Sequence, residues 1–387
     1  MSITKYIITG LLVAFVFIAC KNGNEEIVPT GDPIVHYVRV TPPESSDSLL
    51  VAAFQGSLIA IIGENLAHAN DIWFNDQQAE LNPVYVTNKS ILVNVPTGVP
   101  KEVSNQLRIY FSNGDSLLHN FEVDISKPQI GSMKSEYVFA GEVATIYGNF
   151  FYEPLTVTFS GGVEGTVLPA EDEDGTVIKV VVPDGAEKGP ITVTTNFGSE
   201  ESDFWFRDDR NIIISSDPFT GWWNASYVVV PDSVGIGDPP AINGNYIRIT
   251  KVIGAWEWTE VAGGPSDAMG DISKNFPADA ILNPENYNVK FEINTLKPYN
   301  NNIIRLNIGL QSETNDAYYW RPPYDSQGNW ETVVIPLDEI FRAYEEVGIT
   351  PTVNPNGYWT RLMIFDGNEL DCDIAFDNFR VVPKILN

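Results

Sequence analysis

The sequence predicts an all-β protein built from three sandwiches, two small and alike, the third larger and jelly-roll-like. Three observations carry this. Short runs of β-branched residues, punctuated by Gly, Pro and Asn about every ten residues, form a pattern that the first half uses twice. The second half holds at least six further strand-like runs and a single helical one. Finally, 43% hydrophobic and 19% charged residues describe an ordinary folded chain rather than a disordered one.

Residues 1–19 read as a signal peptide. Lys5 precedes an apolar run from Ile7 to Ala19, and small or apolar residues lead into Cys20. These thirteen residues are too short to span a hydrocarbon core of roughly 30 Å. Cleavage before Cys20 would leave its thiol to carry a lipid, so the chain is expected to be tethered to a membrane without crossing it. Residues 20–31 are the tether, with Lys21-Asn22-Gly23-Asn24-Glu25-Glu26 polar and flexible. That segment resembles the acidic export signal of surface-exposed lipoproteins in Gram-negative polysaccharide-utilising bacteria, which implies the outer membrane as the location.

The formal net charge is −28, and −29 without Lys5. So acidic a surface repels phosphate backbones, which argues against nucleic-acid binding, while neutral ligands meet no such penalty. Once Cys20 is lipidated only Cys372 remains, so no intrachain disulfide can form. Cys372 sits in the strand-like Asp371-Cys372-Asp373-Ile374-Ala375-Phe376 and reads as a buried small hydrophobe.

The repeat is visible in four ordered blocks. Phe54-Gln55-Gly56 with Ile61-Ile62-Gly63-Glu64-Asn65 matches Phe139-Ala140-Gly141 with Ile146-Tyr147-Gly148-Asn149. Ile72-Trp73-Phe74-Asn75 matches Val157-Thr158-Phe159-Ser160, and Val93-Asn94-Val95-Pro96 matches Val180-Val181-Val182-Pro183. Leu107-Arg108-Ile109 with Gly114 matches Ile191-Thr192-Val193 with Gly198. These blocks resemble IPT/TIG domains, immunoglobulin-like modules over residues 32–126 and 127–207. The resemblance implies a spacer role, and Trp73 and Trp205, one per module, read as core residues.

From residue 208 to 387 the character changes, and seven of the nine tryptophans lie here. Strands are expected at Tyr246–Thr250, Asn288–Ile293, Ile303–Leu310, Glu331–Pro336, Arg361–Phe365 and Asp373–Val381, with a helix at Leu337–Glu346. Sugars present flat C–H faces and hydroxyl rims, so a sugar site wants exposed rings beside Asn, Asp, Gln and Arg. Phe219-Thr220-Gly221-Trp222-Trp223-Asn224 offers adjacent indoles in a turn. Trp256 and Trp258, two apart, would share one strand face. Tyr318-Tyr319-Trp320-Arg321-Pro322-Pro323 sets aromatics at a strand end. The candidate glycan-binding residues are therefore Trp222, Trp223, Trp256, Trp258, Tyr319 and Trp320. Trp330 falls on the inward phase of its strand and reads as core.

The full layout resembles the surface glycan-binding lipoproteins of polysaccharide-utilisation systems, closest to the surface glycan-binding protein B type. The closing Ile374-Ala375-Phe376-Asp377-Asn378-Phe379-Arg380 is typical of its terminal domain. The resemblance implies a non-catalytic protein that captures a β-glucan such as xyloglucan, laminarin or mixed-linkage glucan, beside a TonB-dependent transporter. Trp222 and Trp256 are the best carry-overs for its sugar platform. This chain has two Ig-like modules where some relatives have three.

Two rival classes are weighed. A sandwich hydrolase needs paired carboxylates, and Glu369-Leu370-Asp371-Cys372-Asp373-Ile374 lacks the last of the strand-borne acids. A protein-binding adhesin suits the tandem modules, but its face would mix Tyr, Arg and Met rather than concentrate tryptophan. No histidine follows His119, so the terminal domain is expected to hold neither a His-based metal site nor a triad, and no cofactor is expected.

Overall fold

A computed structural model describes residues 31–384 except 43, 45–46, 171–173, 223, 301, 315–317 and 322–323. The leader, Cys20 and Trp223 lie outside the described residues. Among the described residues no helix is long and apolar enough to cross a membrane. Two compact units divide the chain, one ending at Ile125 and the other starting at Ser126.

The first unit is a sandwich of two four-stranded sheets. One pairs Leu49–Leu50, Ile34–Val40, Leu58–Glu64 and Ser90–Asn94 in that order, the other Gln77–Ala79, Ala69–Phe74, Gln106–Phe111 and Ser116–Asn120. Alternation buries Ile59, Ile61, Ile72, Phe74, Leu107 and Ile109 between them. The second module repeats this plan, with Val157, Phe159, Ile191 and Val193 inside. The repeated glycines have one shared purpose. A Cβ on Gly63 would lie 1.9 Å from the Ile34 carbonyl, and one on Gly148 would lie 2.0 Å from that of Gln129. Each glycine sits where the first strand shifts register, so backbones touch there and only glycine fits.

Neither module's tryptophan is in its core, which corrects the expectation. Trp73 and Trp205 are half-buried, Trp73 on the outward phase of its strand between inward Ile72 and Phe74, and Trp205 past the last strand of its module between buried Phe204 and Phe206. Trp205 instead carries the Arg210 guanidinium 3.7 Å above its ring.

Residues beyond 208 form a larger antiparallel sandwich. Its back sheet runs Val228–Val229, Tyr246–Ile253, Leu370–Pro383, Tyr287–Thr295, Glu331–Pro336, with Ile212–Ile214 also pairing the long last strand. Its front sheet runs Thr259–Gly264, Trp359–Ile364, Ile304–Leu310, Tyr318–Trp320. A continuous core that includes Ile249, Phe291, Leu306, Leu362, Ile374 and Phe376 lies between them. Cys372 is buried there, and burial pushes its thiol up to about 12. The helix Leu337–Glu346 forms over the expected residues and buries Leu337, Ile340, Phe341 and Tyr344. Two short helices, Ser266–Met269 and Ala278–Leu282, and the strands Ile212–Ile214 and Thr259–Gly264 were not anticipated.

The second module and this sandwich belong to one compact unit, and a buried ion cluster explains why. Glu136 of the module receives Lys290 Nζ at 2.5 Å and Arg380 Nη2 at 2.6 Å from the back sheet. Glu292 shares Arg380 at 2.8 Å. The Lys134 carbonyl accepts the Thr332 N–H, and the Glu136 N–H donates to Thr332 Oγ1.

Candidate functional site

The outward face of the front sheet collects the aromatic side chains. Leu362 and Ile364 enter the core, as do Ile304, Leu306 and Ile308. Strand alternation therefore turns Trp359, Arg361, Met363, Arg305, Asn307 and Tyr319 the other way. Cross-strand register sets Arg305 opposite both Met363 and Tyr319, and Asn307 opposite Arg361. Phe365, just past the strand, continues the series.

Rings and cations interleave across this face. Trp258 lies 4.8 Å from Phe365 by ring centroids, and Trp256 5.7 Å from the same ring. The Arg305 guanidinium sits 4.6 Å from the rings of both Phe365 and Tyr319. Arg361 lies 5.3 Å from Trp258, and Arg321 5.3 Å from Tyr319. Trp222 meets Trp359 edge to face at 5.7 Å. The rings open to solvent are Trp222, 60% exposed, Trp256, 65%, and Trp258, 49%. Such a face matches flat apolar ring surfaces and supplies few free charges.

The buried guanidinium of this face is ion-paired. Arg361, buried, donates to Glu260 at 3.0 Å and pairs with Glu313 at 2.5 Å. Burial alone would weaken the Arg361 charge, but the two carboxylates more than offset it and its pKa lies above the ordinary value. Asn307 is fully buried beside it, and neither of its amide atoms has a hydrogen bond. Among the described residues no group of three or more His, Cys, Asp or Glu is placed to hold a metal ion.

Backbone shape positions the most exposed ring. Trp256 has a φ of 61°, a region bulky residues seldom occupy, and such outliers cluster at active sites and ligand clamps. Its N–H donates to the Asp366 carbonyl at 2.8 Å. Glu257, held by Lys251 and by the Gly254 N–H, closes the same turn, and those bonds keep its carboxyl below the usual range. A Cβ on Gly367 would come within 2.7 Å of the Trp256 ring, so glycine is what lets the indole lie down there.

The structure thus brings Trp222, Trp256, Trp258 and Tyr319 to one face. Trp256 and Trp258 reach it from the turn before the strand Thr259–Gly264, not from a shared strand face as expected. Trp320 is a correction. It alternates with Tyr319, so it turns to the core, 5.5 Å from Phe291 and 5.8 Å from Tyr324. Sequence reasoning missed Trp359, Arg361, Phe365 and Arg305 as members of the face, although the two-residue period 359, 361, 363, 365 carried the signal. Trp330 is buried as expected but on the other side of the back sheet, in a small cluster with Tyr246 and Ala375.

Comparison with known proteins sharpens the assignment. Residues 206–383 match the surface glycan-binding protein B xyloglucan binding domain. The C-terminal domain is similar to that family over its whole length. A relative from Bacteroides ovatus, an IPT/TIG domain-containing protein, is 31% identical over 177 residues. That match takes in 44% of this chain and 34% of the relative, so the chain spans about a third of its relative's length. The crystal structure of surface glycan-binding protein PbSGBP-B from Prevotella bryantii is similar in fold, with a TM-score of 0.66 and 22% identity over 92% of this chain and 100% of that one. In this C-terminal domain the ring-bearing face is the outer surface of the front sheet.

Proposed function

We propose that the chain is a non-catalytic glycan-binding lipoprotein of the cell surface. Its C-terminal domain captures a neutral β-glucan, of which xyloglucan, laminarin and mixed-linkage glucan are the candidates. The single observation that carries this is the row of three solvent-open indoles, Trp222, Trp256 and Trp258, on the outer face of a domain similar to that family. Stacking on sugar C–H faces repeats along a polymer, and the Arg361–Glu260–Glu313 group, net negative, disfavours an anionic glycan but not a neutral one. Ion pairing to Arg361 also ties up Glu260 and Glu313, which suits binding better than hydrolysis. Cys20 would anchor the mature chain in the outer membrane, beside a TonB-dependent transporter that receives the captured glycan.

Native affinity electrophoresis of the chain from Lys21 onward tests this reading. Gels containing xyloglucan, laminarin or mixed-linkage glucan should retard it in at least one case, without release of reducing ends. Unretarded migration in all three contradicts the binding assignment. Appearance of reducing sugar contradicts the non-catalytic one.

A further inference from the structure

The first module carries a second group of outward side chains that its fold does not require. On the sheet containing Ala69–Phe74 and Gln106–Phe111, the residues Ile72, Phe74, Leu107 and Ile109 point inward. Asp71, Trp73, Arg108 and Tyr110 therefore point out. Trp73 stands opposite Arg108, and Asp71 opposite Tyr110. Arg108 Nη1 donates to Tyr110 Oη at 3.2 Å. At the edge, Asp76 is fixed by the N–H groups of Lys101 and Glu102, at 2.9 and 3.2 Å. Trp73, Asp76, Glu102, Arg108 and Tyr110 line a cavity of about 340 Å³.

The second module is an internal control for this face. Its equivalent strands keep the same pairing, Thr158 opposite Thr192 and Thr156 opposite Thr194. Threonine thus occupies the places of Trp73, Arg108, Asp71 and Tyr110, between equivalent buried neighbours. Threonine is what β-propensity alone would put on an outward strand position. The sandwich therefore folds without an indole, a guanidinium and a phenol there, and these groups need another reason to be present.

We propose that this face is a second glycan-contact site, with a neutral pyranose ring stacked on Trp73 and its hydroxyl rim met by Arg108, Tyr110 and Asp76. Three features select that ligand class. An aromatic floor suits an apolar sugar face. One guanidinium beside the carboxylates of Asp76 and Glu102 leaves a net negative charge that disfavours an anionic ligand, while these groups can bond the hydroxyls of a neutral one. The cavity lies at the small end of the roughly 300–1,000 Å³ typical of ligand sites, enough for one or two rings. The site gives the spacer module a grip on the same polymer, so a chain held at the C-terminal face is also held at the other unit. Its ligand class rests on the glycan-binding reading; its position does not depend on the C-terminal face.

The test uses affinity electrophoresis of the full mature chain in xyloglucan and in mixed-linkage glucan. Trp73→Thr installs the residue its sister module already tolerates, and Arg108→Thr is the second variant should the first not fold. In a Trp222→Ala/Trp256→Ala background, residual retardation is expected, and adding Trp73→Thr should lower it further. The proposal is overturned if the doubly substituted chain shows no residual retardation, or if neither Trp73→Thr nor Arg108→Thr lowers it; the C-terminal reading then stands. Full retardation of the doubly substituted chain instead overturns the C-terminal reading, and loss or retention on adding Trp73→Thr decides this one. No retardation of the unsubstituted chain in either gel overturns both.

Discussion

Arg380 and Glu136, 244 positions apart in the chain, meet in a buried ion pair with Nη2 and Oε2 separated by 2.6 Å. Lys290 and Glu292 complete the group, so two cations face two carboxylates out of water. Removing one member of such a set leaves a buried charge without its partner and costs about 3–5 kcal/mol. Glu136→Gln should therefore lower the denaturation midpoint of the whole 126–387 unit and loosen the second module from the back sheet. Glycan affinity should survive, because the ring-bearing face is on the other sheet. Equilibrium denaturation followed by two probes, one in each half of the unit, checks this. Unchanged, coincident transitions would contradict the role given to the cluster.

Asp377 lies close to this group without joining it. It is buried, its Oδ1 accepts the Asn378 N–H at 2.8 Å, and its Oδ2 has no hydrogen-bond partner. Burial first, and then the nearby Glu292, raise its pKa well above the ordinary aspartate value, more than Arg380 lowers it. The folded chain thus keeps a proton that the unfolded chain releases near pH 3.9. That contribution is whole below about pH 3.9 and is lost as pH rises through the folded value. Asp377→Asn mimics the neutral carboxyl and escapes the loss. Denaturation midpoints should show the variant gaining on the parent more at pH 8 than at pH 5. An equal difference at both pH values would mean that Asp377 is charged in the folded chain.

Trp330 separates stability from binding. Its ring is buried against Tyr246 at 5.6 Å, and its Nε1 donates to the Pro240 carbonyl at 2.7 Å. Trp330→Ala should cost about 3–5 kcal/mol of stability, while the variant that remains folded binds glycan as before. A binding loss without destabilisation would place Trp330 in the ligand site.

Anchoring is tested at Cys20. Cys20→Ala should fold and bind but no longer incorporate a fatty-acid analogue in metabolic labelling. A labelled variant would contradict the lipoprotein assignment.

The fold was legible in the sequence where side-chain period and glycine placement act locally. Leu337–Glu346 showed as a helix because its apolar residues recur on one face, and Gly63 and Gly148 marked one backbone contact used twice. The strand Thr259–Gly264 escaped notice because Ala262-Gly263-Gly264 lacks β-branched side chains, although it edges the front sheet. The site was legible by composition and less so by geometry. An outward ring and an inward ring differ by a single residue, as Tyr319 and Trp320 show. Trp73 was misread for the same reason: alternation places Ile72 and Phe74 inward, and an indole between them must face solvent. Arg361 and Glu260, a hundred positions apart, could be joined only by strand pairing that no local pattern announces.

The central claim is that the indoles on the outer face of the front sheet hold the glycan. Base–aromatic stacking, a platform of similar type, contributes roughly 1–3 kcal/mol per ring, which is about a ten- to hundred-fold change in affinity. Isothermal titration of the mature chain with a xyloglucan oligosaccharide, with melting temperatures measured alongside, tests it most directly. Trp222→Ala, Trp256→Ala and Trp258→Ala should each weaken binding by about that factor at unchanged melting temperature, whereas Trp320→Ala should lower the melting temperature instead. Folded variants of all three indoles that bind with unchanged Kd would contradict the account.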